Sequence, residues 1–537
     1  MAIKKGGKFA LLFLALTGVV LGYTQLKKKG FLGGDKSTTT ASVPSSSGGF
    51  VADAEPVSSD VLTLRVGLNV WGGFAGAPYY NMGFNPTEAS RYFKDYGFAV
   101  KFVVFDGFEQ AKTVLLQNEV DIVWNTVDAL PTQINSLKAE GMQVFCQIDW
   151  SRGGDCIIAR RGINNVNDIA PKGGDKKTIA VVEMSPSHSM LLNVLNTANL
   201  KQSDVKLAKV ADALKATEMF KNGACDLAVI WAPDDEDLLK SVAGSKVVMS
   251  TAVATDIIAD VWMAKGSFIS AHSKEVRQFV EGQLKGNAEI NASNDARVTA
   301  SKVLAQGFNM PEDFCYSSIG KARLATFGDN KNFFGLNTSY TGVTAKDLYT
   351  RMAKEFMKAG DPEIGTVYIS SNNGMPDVPP WQSISNTSLL QQITSLTGAE
   401  HAAEGAVKYV QKTEVENETA EAISTKRVTI MFAVNSADLT DDAKDEIDRN
   451  IKHISKGFKN SRIRIEGNTD NTGNAAQNRV LSKRRAQAVA DYLIEQGIDG
   501  TRFVIIGKGP DNPVADNSTD AGRRANRRTD FELIANQ

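Results

Sequence analysis

The stretch "IRIEGNTDNTGNAAQNRVLSKRRAQAVADYL", Ile463–Leu493, changes its period twice. Its first residues alternate like a half-buried strand, Gly467–Asn474 forms a turn-rich loop, and the rest carries apolar residues at helical spacing. Asp470 stands before the helix and Arg485 well inside it, fifteen positions apart. An acidic turn residue ordinarily closes on its own backbone, and a helix bearing Arg479, Lys483, Arg484 and Arg485 ordinarily presents a solvated basic face. The sharper reading is that two opposite charges are held apart to grip a group carrying both signs.

Around this stretch, "RVTIMFAVNSADL" (Arg427–Leu439) reads as a strand and "TDDAKDEIDRNIKHI" (Thr440–Ile454) as a capped amphipathic helix. "RFVIIGKG" follows as a strand, then a Pro/Asn/Asp loop, then "RRTDFELI" as a last strand. The expectation is an α+β domain of βαβαββ type over residues 425–537. The motifs "FAVNSADLT", "IRIEGNTDNTGNAAQNRVLSKRRAQAVADYL", "GKGPDNPVADNST" and "GRRANRR", in that order, resemble the OmpA-like peptidoglycan-binding domain from about Arg427 to Ile534. The resemblance implies a pocket for the diaminopimelate side chain of the stem peptide, whose tip carries an ammonium and a carboxylate. It places Asp470 against the ammonium and Arg485, whose planar fork lysine cannot reproduce, against the carboxylate. Asn478 and Leu481 fall at matching helix positions, and Arg528 in "NRR" is expected at the rim. The chain departs from the family at Asn468, where His is common before "TD".

Upstream the texture is different. "LTLRVGLNVW", "AVKFVVF", "VDIVWN", "KTIAVVE", "CDLAVIW" and "SKVVMS" read as short buried strands, separated by helical segments such as "EQAKTVLLQ", "SMLLNVLNTA" and "DALKATEMFKNG". This alternation argues for parallel α/β architecture, and its length from Val61 to about Trp381 fits two lobes better than one sheet. In such sheets ligands sit where strands end and helices begin, because free N–H groups and helix dipoles point there. The strand ends offer Trp71, Gly72 and Gly73; Asn125, Thr126 and Asp128; Asp149 and Ser151; Ser185, Ser187 and His188; and Trp231, Pro233 and Asp234. Each has an ordinary reading as well: Ser185 or Ser187 as a helix cap, Asp234–Asp237 as first-turn acids, the tryptophans as core. Adjacent Ser187 and His188 lack the partners a hydrolase needs, so no catalysis is expected.

In order, "LNVWGGFAGAP", "DIVWNTVDALP", "IDWSRGGDCIIARRGINNVNDI" and "GACDLAVIWAPDDEDLL" resemble the nitrate/sulfonate/taurine-type solute-binding proteins of ABC importers. That likeness implies a type II periplasmic-binding-protein fold over residues 61–385, closing over a small molecule. The chain would cross the hinge near Asp149–Ile157 and Ser250–Ile258, and Trp71, Gly72, Asn125, Thr126, Asp149, Ser185, Ser187 and Trp231 would line the cleft. Serines at helix starts would suit an oxyanion, whereas Asp128, Asp149 and Asp155 would suit an amine. Both ligand classes stay open.

Residues 386–424 are polar and read as a helical connector, and residues 31–60, with ten Ser/Thr plus Gly and Pro, as a flexible linker. The uncharged run Phe9–Leu26 would be about 27 Å long as a helix and is flanked by six lysines, with no acid in residues 1–30. With a weak cleavage site, it reads as an uncleaved inner-membrane anchor over a cleaved signal, and either way the bulk of the chain is periplasmic. Sixty basic and 61 acidic residues cancel, so no global field points to nucleic acid. Four cysteines and four histidines show no zinc spacing; Cys146 and Cys156 could pair, or remain buried thiols. No cofactor or metal is expected. The composite expectation is a membrane-anchored, wall-bound protein whose two-lobed module presents a small solute to a permease or sensor. The competing expectation is an envelope tether whose lobes are a protein-docking scaffold.

Overall fold

The computed structural model describes residues 54–105, 107–232, 234–359, 378–433 and 435–536. The apolar run at Phe9–Leu26 and nearly all of the Ser/Thr-rich linker lie outside them; among the described residues no helix is long and apolar enough to cross a membrane. The first lobe is built on a six-stranded sheet with β1 (Thr63–Leu68), β2 (Ala99–Val104), β3 (Ile122–Thr126), β4 (Met142–Ser151), β10 (Ala259–Lys265) and β11 (Ala322–Leu324). The second is built on β5 (Asp155–Ala159), β6 (Thr178–Val182), β7 (Lys206–Val210), β8 (Leu227–Trp231) and β9 (Lys246–Ser250). Their strand orders are β11-β4-β10-β3-β1-β2 and β7-β6-β8-β5-β9.

The sheets are mixed, where the alternation of strands and helices argued for parallel α/β architecture. β1 pairs in parallel with β2 and β3, and β6 with β7 and β8, but β10 runs against β3 and β4, and β5 against β8 and β9. The reason is the double crossing between lobes. β4 and β9 run toward the cleft and leave their lobe there, so β5 and β10 start at the cleft edge and must run the opposite way. The crossings lie between Ser151 and Asp155 and between Ser250 and Ala259, where the sequence put the hinge. Ser151 Oγ and Thr251 Oγ1, 2.8 Å apart, tie the two crossings together.

The connector is not helical over its length. Only Ser388–Gln391, Ala399–His401 and Glu414–Thr419 make short helical turns, and its end is already strand, because β12 spans Ala422–Val428. Leu389, Leu390, Ile393 and Leu396 are buried in the first lobe's core, which extends that lobe past residue 385. The four cysteines are all free and buried, so Cys146 and Cys156 do not pair.

The C-terminal sheet runs β12-β15-β13-β14, with β13 (Ser461–Asn468), β14 (Phe503–Gly509) and β15 (Thr529–Ala535). The expected strand Arg427–Leu439 ends at Val428; beyond it, among the described residues, Phe432 and Leu439 form an isolated bridge. A short helix, Asp520–Asn526, occupies part of the expected loop before β15. The long helix Ala475–Glu495 lies close on β13 and β14 because the facing residues there are Gly467 and Gly507, which pair in register. A Cβ on Gly467 would stand 2.1 Å from Ser482 O, and one on Gly507 2.4 Å from Arg479 O.

The described residues lie in one compact unit, and the C-terminal domain does not hang from a tether. Ile447, Ile454 and Phe458 share an apolar cluster with Ile157, Ile163 and Ile257 of the second lobe and hinge. Asp256 N donates to Gly457 O at 2.9 Å, Asn460 Nδ2 to Ala252 O at 2.8 Å, and Lys426 Nζ to Asn196 O at 2.7 Å. Asn167 and Thr425 exchange two hydrogen bonds.

The close helix–sheet approach yields a direct expectation. Gly467→Ala should destabilise the chain by about 1–3 kcal/mol through overpacking against backbone that cannot yield, read as a lowered denaturation midpoint. An unchanged midpoint would show that the helix shifts freely and that its register does not fix the Asp470 loop.

Candidate functional site

β13 ends at Asn468, and the next two residues turn into the loop that precedes the long helix. Asp470 is buried there. Its Oδ1 accepts from Thr472 N at 2.9 Å and its Oδ2 from Arg527 Nη1 at 2.5 Å. Burial alone would raise its pKa, but the Thr472 amide and the Arg527 guanidinium outweigh it and hold the carboxyl below its ordinary value. Asn478 Nδ2 donates to Thr472 O at 2.9 Å and so ties the helix to this loop. Asn478, Leu481 and Arg485 are three and four residues apart and share one helix face. The half-buried Arg485 points into the loop after β12: Nε donates to Ser436 O at 2.9 Å, Nη2 to Ala433 O at 3.2 Å, and the guanidinium lies 5.0 Å over the Phe432 ring. Burial lowers its pKa, Arg527 adds to that, and Asp470 opposes it, as expected of three charges in one pocket.

One sequence expectation needs correction. Arg528 is not at the rim: it is buried in the sheet, with Nε and Nη2 on the Asp530 carboxylate at 3.0 and 2.9 Å. Its neighbour Arg527 is the half-exposed partner of Asp470. At the entrance to β15 successive side chains take opposite sides, so only one of the pair in "NRR" can face the pocket. Asn468 faces Glu466 O and Asp530 Oδ2, both at 3.3 Å, rather than Asp470.

Between the lobes, the cross-strand partners Thr126, Asp260 and Asp149 form a row at the hinge end of the first sheet, and Asp155 pairs with Trp231 at the hinge end of the second. Trp71 Nε1 donates to Asp149 Oδ2 at 2.7 Å, and its ring lies against Gly154, where a Cβ would come within 2.1 Å. Ser151 Oγ donates to Asp155 Oδ2 at 2.7 Å. Gly72, Asn125 and Ser185 have local jobs instead. Gly72 N donates to Ser318 Oγ, Asn125 bonds Gln133 and the Thr126 amide, and Ser185 caps the helix Pro186–Asn196. Ser187 Oγ is buried without a partner, while His188 bonds Gln202 and the Met184 amide, so the two form no nucleophile–base pair. Pro233 lies outside the described residues. The lobes are closed on each other: Lys321 Nζ meets Asp235 Oδ2 at 3.1 Å, and Thr132 Oγ1 donates to Met184 O at 3.1 Å.

Burial raises Asp128 to about 7, with Ser189 and the backbone amides of Asp128 and Ala259 opposing. It raises Asp149 and Asp155 to about 6 each, and Asp260, facing Asp149, well above its ordinary range. Asp260, in "IIADVWM", was not singled out in the sequence; the cue was an acid at the start of the strand that returns from the hinge. An acid whose folded pKa lies above its unfolded value of about 3.9 loses stability as pH rises through that interval, and the loss is complete above the folded value. The stability of Asp128→Asn relative to wild type should therefore rise between pH 4 and pH 8, by on the order of 1–4 kcal/mol, in denaturant unfolding. A difference that does not change with pH would contradict a buried, ionising Asp128.

Residues 431–527 match the OmpA family model and residues 87–305 the NMT1-like family model. Outer membrane porin F of Pseudomonas aeruginosa is 42% identical over 88 residues, which is 16% of this chain and 25% of that protein. Peptidoglycan-binding protein ArfA of Mycobacterium bovis is 43% identical over 81 residues, 15% of this chain and 24% of that one. Outer membrane protein A of Bordetella avium is 46% identical over 71 residues, 13% and 37% respectively. The chain thus spans from about a quarter to just over a third of the length of these relatives. Among solved structures, the zinc-bound ligand-binding component of an ABC-type import system from Staphylococcus aureus aligns with a TM-score of 0.46 at 12% identity, covering 62% of this chain and 98% of that one. The aliphatic sulphonate binding protein SsuA from Escherichia coli aligns at 0.40 and 18%, covering 48% and 83%. The chain joins an NMT1-like domain to a C-terminal OmpA-family domain.

Proposed function

We propose that this chain is a non-catalytic envelope protein that grips peptidoglycan with its C-terminal domain and binds a small solute between its two lobes. The observation that carries the first half is the charge constellation of Asp470, Arg485 and Arg527 in one pocket, supported by similarity to a relative named as peptidoglycan-binding. A diaminopimelate tip offers an ammonium to Asp470 and a carboxylate to Arg485, while Asn478 fixes the loop and Leu481 supplies apolar wall on the same helix face. The Arg527–Asp470 pair is the contact the ligand ammonium would replace, and Arg527 is exposed enough to swing toward the carboxylate. The half-exposed Arg527 keeps the empty pocket from holding an unpaired acid.

The second half rests on the two crossings and the convergence of strand ends on Trp71, Thr126, Asp149 and Trp231. Presentation of the solute to a membrane permease or sensor, and anchoring at the inner membrane by the lysine-flanked run Phe9–Leu26, complete the proposal. A docking scaffold is the second reading, favoured by the fastening of the C-terminal domain across the hinge at Ala252, Asp256, Gly457 and Asn460.

Removing either partner of a desolvated charge pair costs roughly 2–5 kcal/mol of binding. Asp470→Ala and Arg485→Ala should each abolish co-sedimentation with diaminopimelate-type sacculi, and Arg485→Lys should bind poorly because a point charge cannot fork. If a basic helix merely met an anionic polymer, Arg484→Ala would weaken binding as much as Arg485→Ala, and Asp470→Ala would strengthen it. Retained binding by Asp470→Ala would end the clamp proposal.

A further inference from the structure

The solute site is lined by acids. Asp149 and Asp260 face each other across β4 and β10, Asp155 enters from the second lobe at the first crossing, and Asp128 lies one turn beyond β3. Asp128, Asp149 and Asp260 are all buried. Of the nearby cations, Arg152 is already shared between Asp256 at 2.9 Å and Glu404 at 3.0 Å, and Arg351 is held by Asn193 on the Asp128 side. No Lys or Arg forms an ion pair with Asp149, Asp155 or Asp260 among the described residues.

A second observation is independent of the acids. Thr126 is 2% exposed and its Oγ1 has no hydrogen-bond partner. It is the direct cross-strand partner of Asp260, so its side chain stands on the same sheet face, in the same row. A buried hydroxyl left unbonded offers a ligand both an O–H and lone pairs. Trp71 closes the row, its indole N–H on Asp149 and its ring between the crossing and the first lobe.

Resting on the solute-binding reading above, we propose that the interlobe site takes a small organic cation, an amine or a quaternary ammonium compound, and not an oxyanion. The ligand charge would lie between Asp149, Asp155 and Asp260, supply the missing counter-charge, and meet the Trp71 ring through a cation–π contact. An N–H-bearing ammonium would also bond Thr126 Oγ1; a quaternary one would rely on the ring. An oxyanion placed there would meet three carboxyls, with Arg152 already shared between Asp256 and Glu404.

The test is calorimetric titration and thermal unfolding of the full-length protein with putrescine, choline, ethanesulfonate and nitrate. The expected result is stabilisation and heat with putrescine or choline and none with the two anions. Asp149→Asn/Asp260→Asn should lower the cation affinity about tenfold or more while leaving co-sedimentation with sacculi intact, which shows that the variant is folded. Preference for putrescine identifies N–H donation, and Thr126→Val should then weaken it; preference for choline identifies the Trp71 ring, and Trp71→Leu should then weaken it. Stabilisation by ethanesulfonate or nitrate alone would overturn the cation assignment while leaving solute binding standing. A cation response unchanged in the double Asn variant would overturn the assignment to these acids. No response to any of the four would overturn the solute-binding reading and this inference with it.

Discussion

Arg152, at the first crossing between lobes, holds Asp256 of the second crossing at 2.9 Å and Glu404 at 3.0 Å, and Glu404 in turn takes Lys459 of the C-terminal domain at 3.4 Å. This chain of charges joins both hinge segments, the segment leading out of the first lobe, and the C-terminal domain. Arg152, Lys459 and Arg323 together draw the Glu404 pKa below its usual range even though burial pushes it up. A hinge fastened this way cannot rotate without disturbing the docked domain. Ile447, Ile454 and Phe458 share an apolar cluster with Ile157 and Ile257 and fasten the same domain to the hinge.

The two candidate sites bury carboxylates in opposite ways. Asp470 is surrounded by donors that hold its carboxyl below the ordinary value. The interlobe acids have few donors, and burial raises their pKa values instead. Two unit charges 4 Å apart at an effective dielectric of 20 interact by about 4 kcal/mol, so adding a negative ligand beside Asp149 and Asp155 would oppose binding strongly, whereas a positive one would relieve the burial.

Much of this was legible in the sequence. Period-two runs and helical spacings located the strands and helices around the cleft, and the two crossings lie in the segments that the solute-binding-protein resemblance implied. Asp470, Asn478 and Arg485 could be named because the motifs around them resemble the OmpA-like domain and place them on one turn and one helix face. What was not legible depends on tertiary parity or docking. Arg527 and Arg528 are adjacent and identical, and only the pleat of β15 decides which one reaches Asp470. Asp260 sits in an apolar strand whose partners, Asp149 and Thr126, are more than a hundred residues away in the chain. The polar connector hid four leucine and isoleucine side chains that pack on the first lobe, and no local pattern announces that the last domain docks on the hinge.

The central claim is that one pocket reads a positive and a negative group together. Protein bound to diaminopimelate-type sacculi at fixed ionic strength can be challenged with two free stem tripeptides, one ending in diaminopimelate and one in lysine, which keeps the ammonium and lacks the neighbouring carboxylate. Release by the diaminopimelate peptide and retention with the lysine peptide is the predicted result. Equal release by both, or release by salt alone with neither peptide effective, would contradict it.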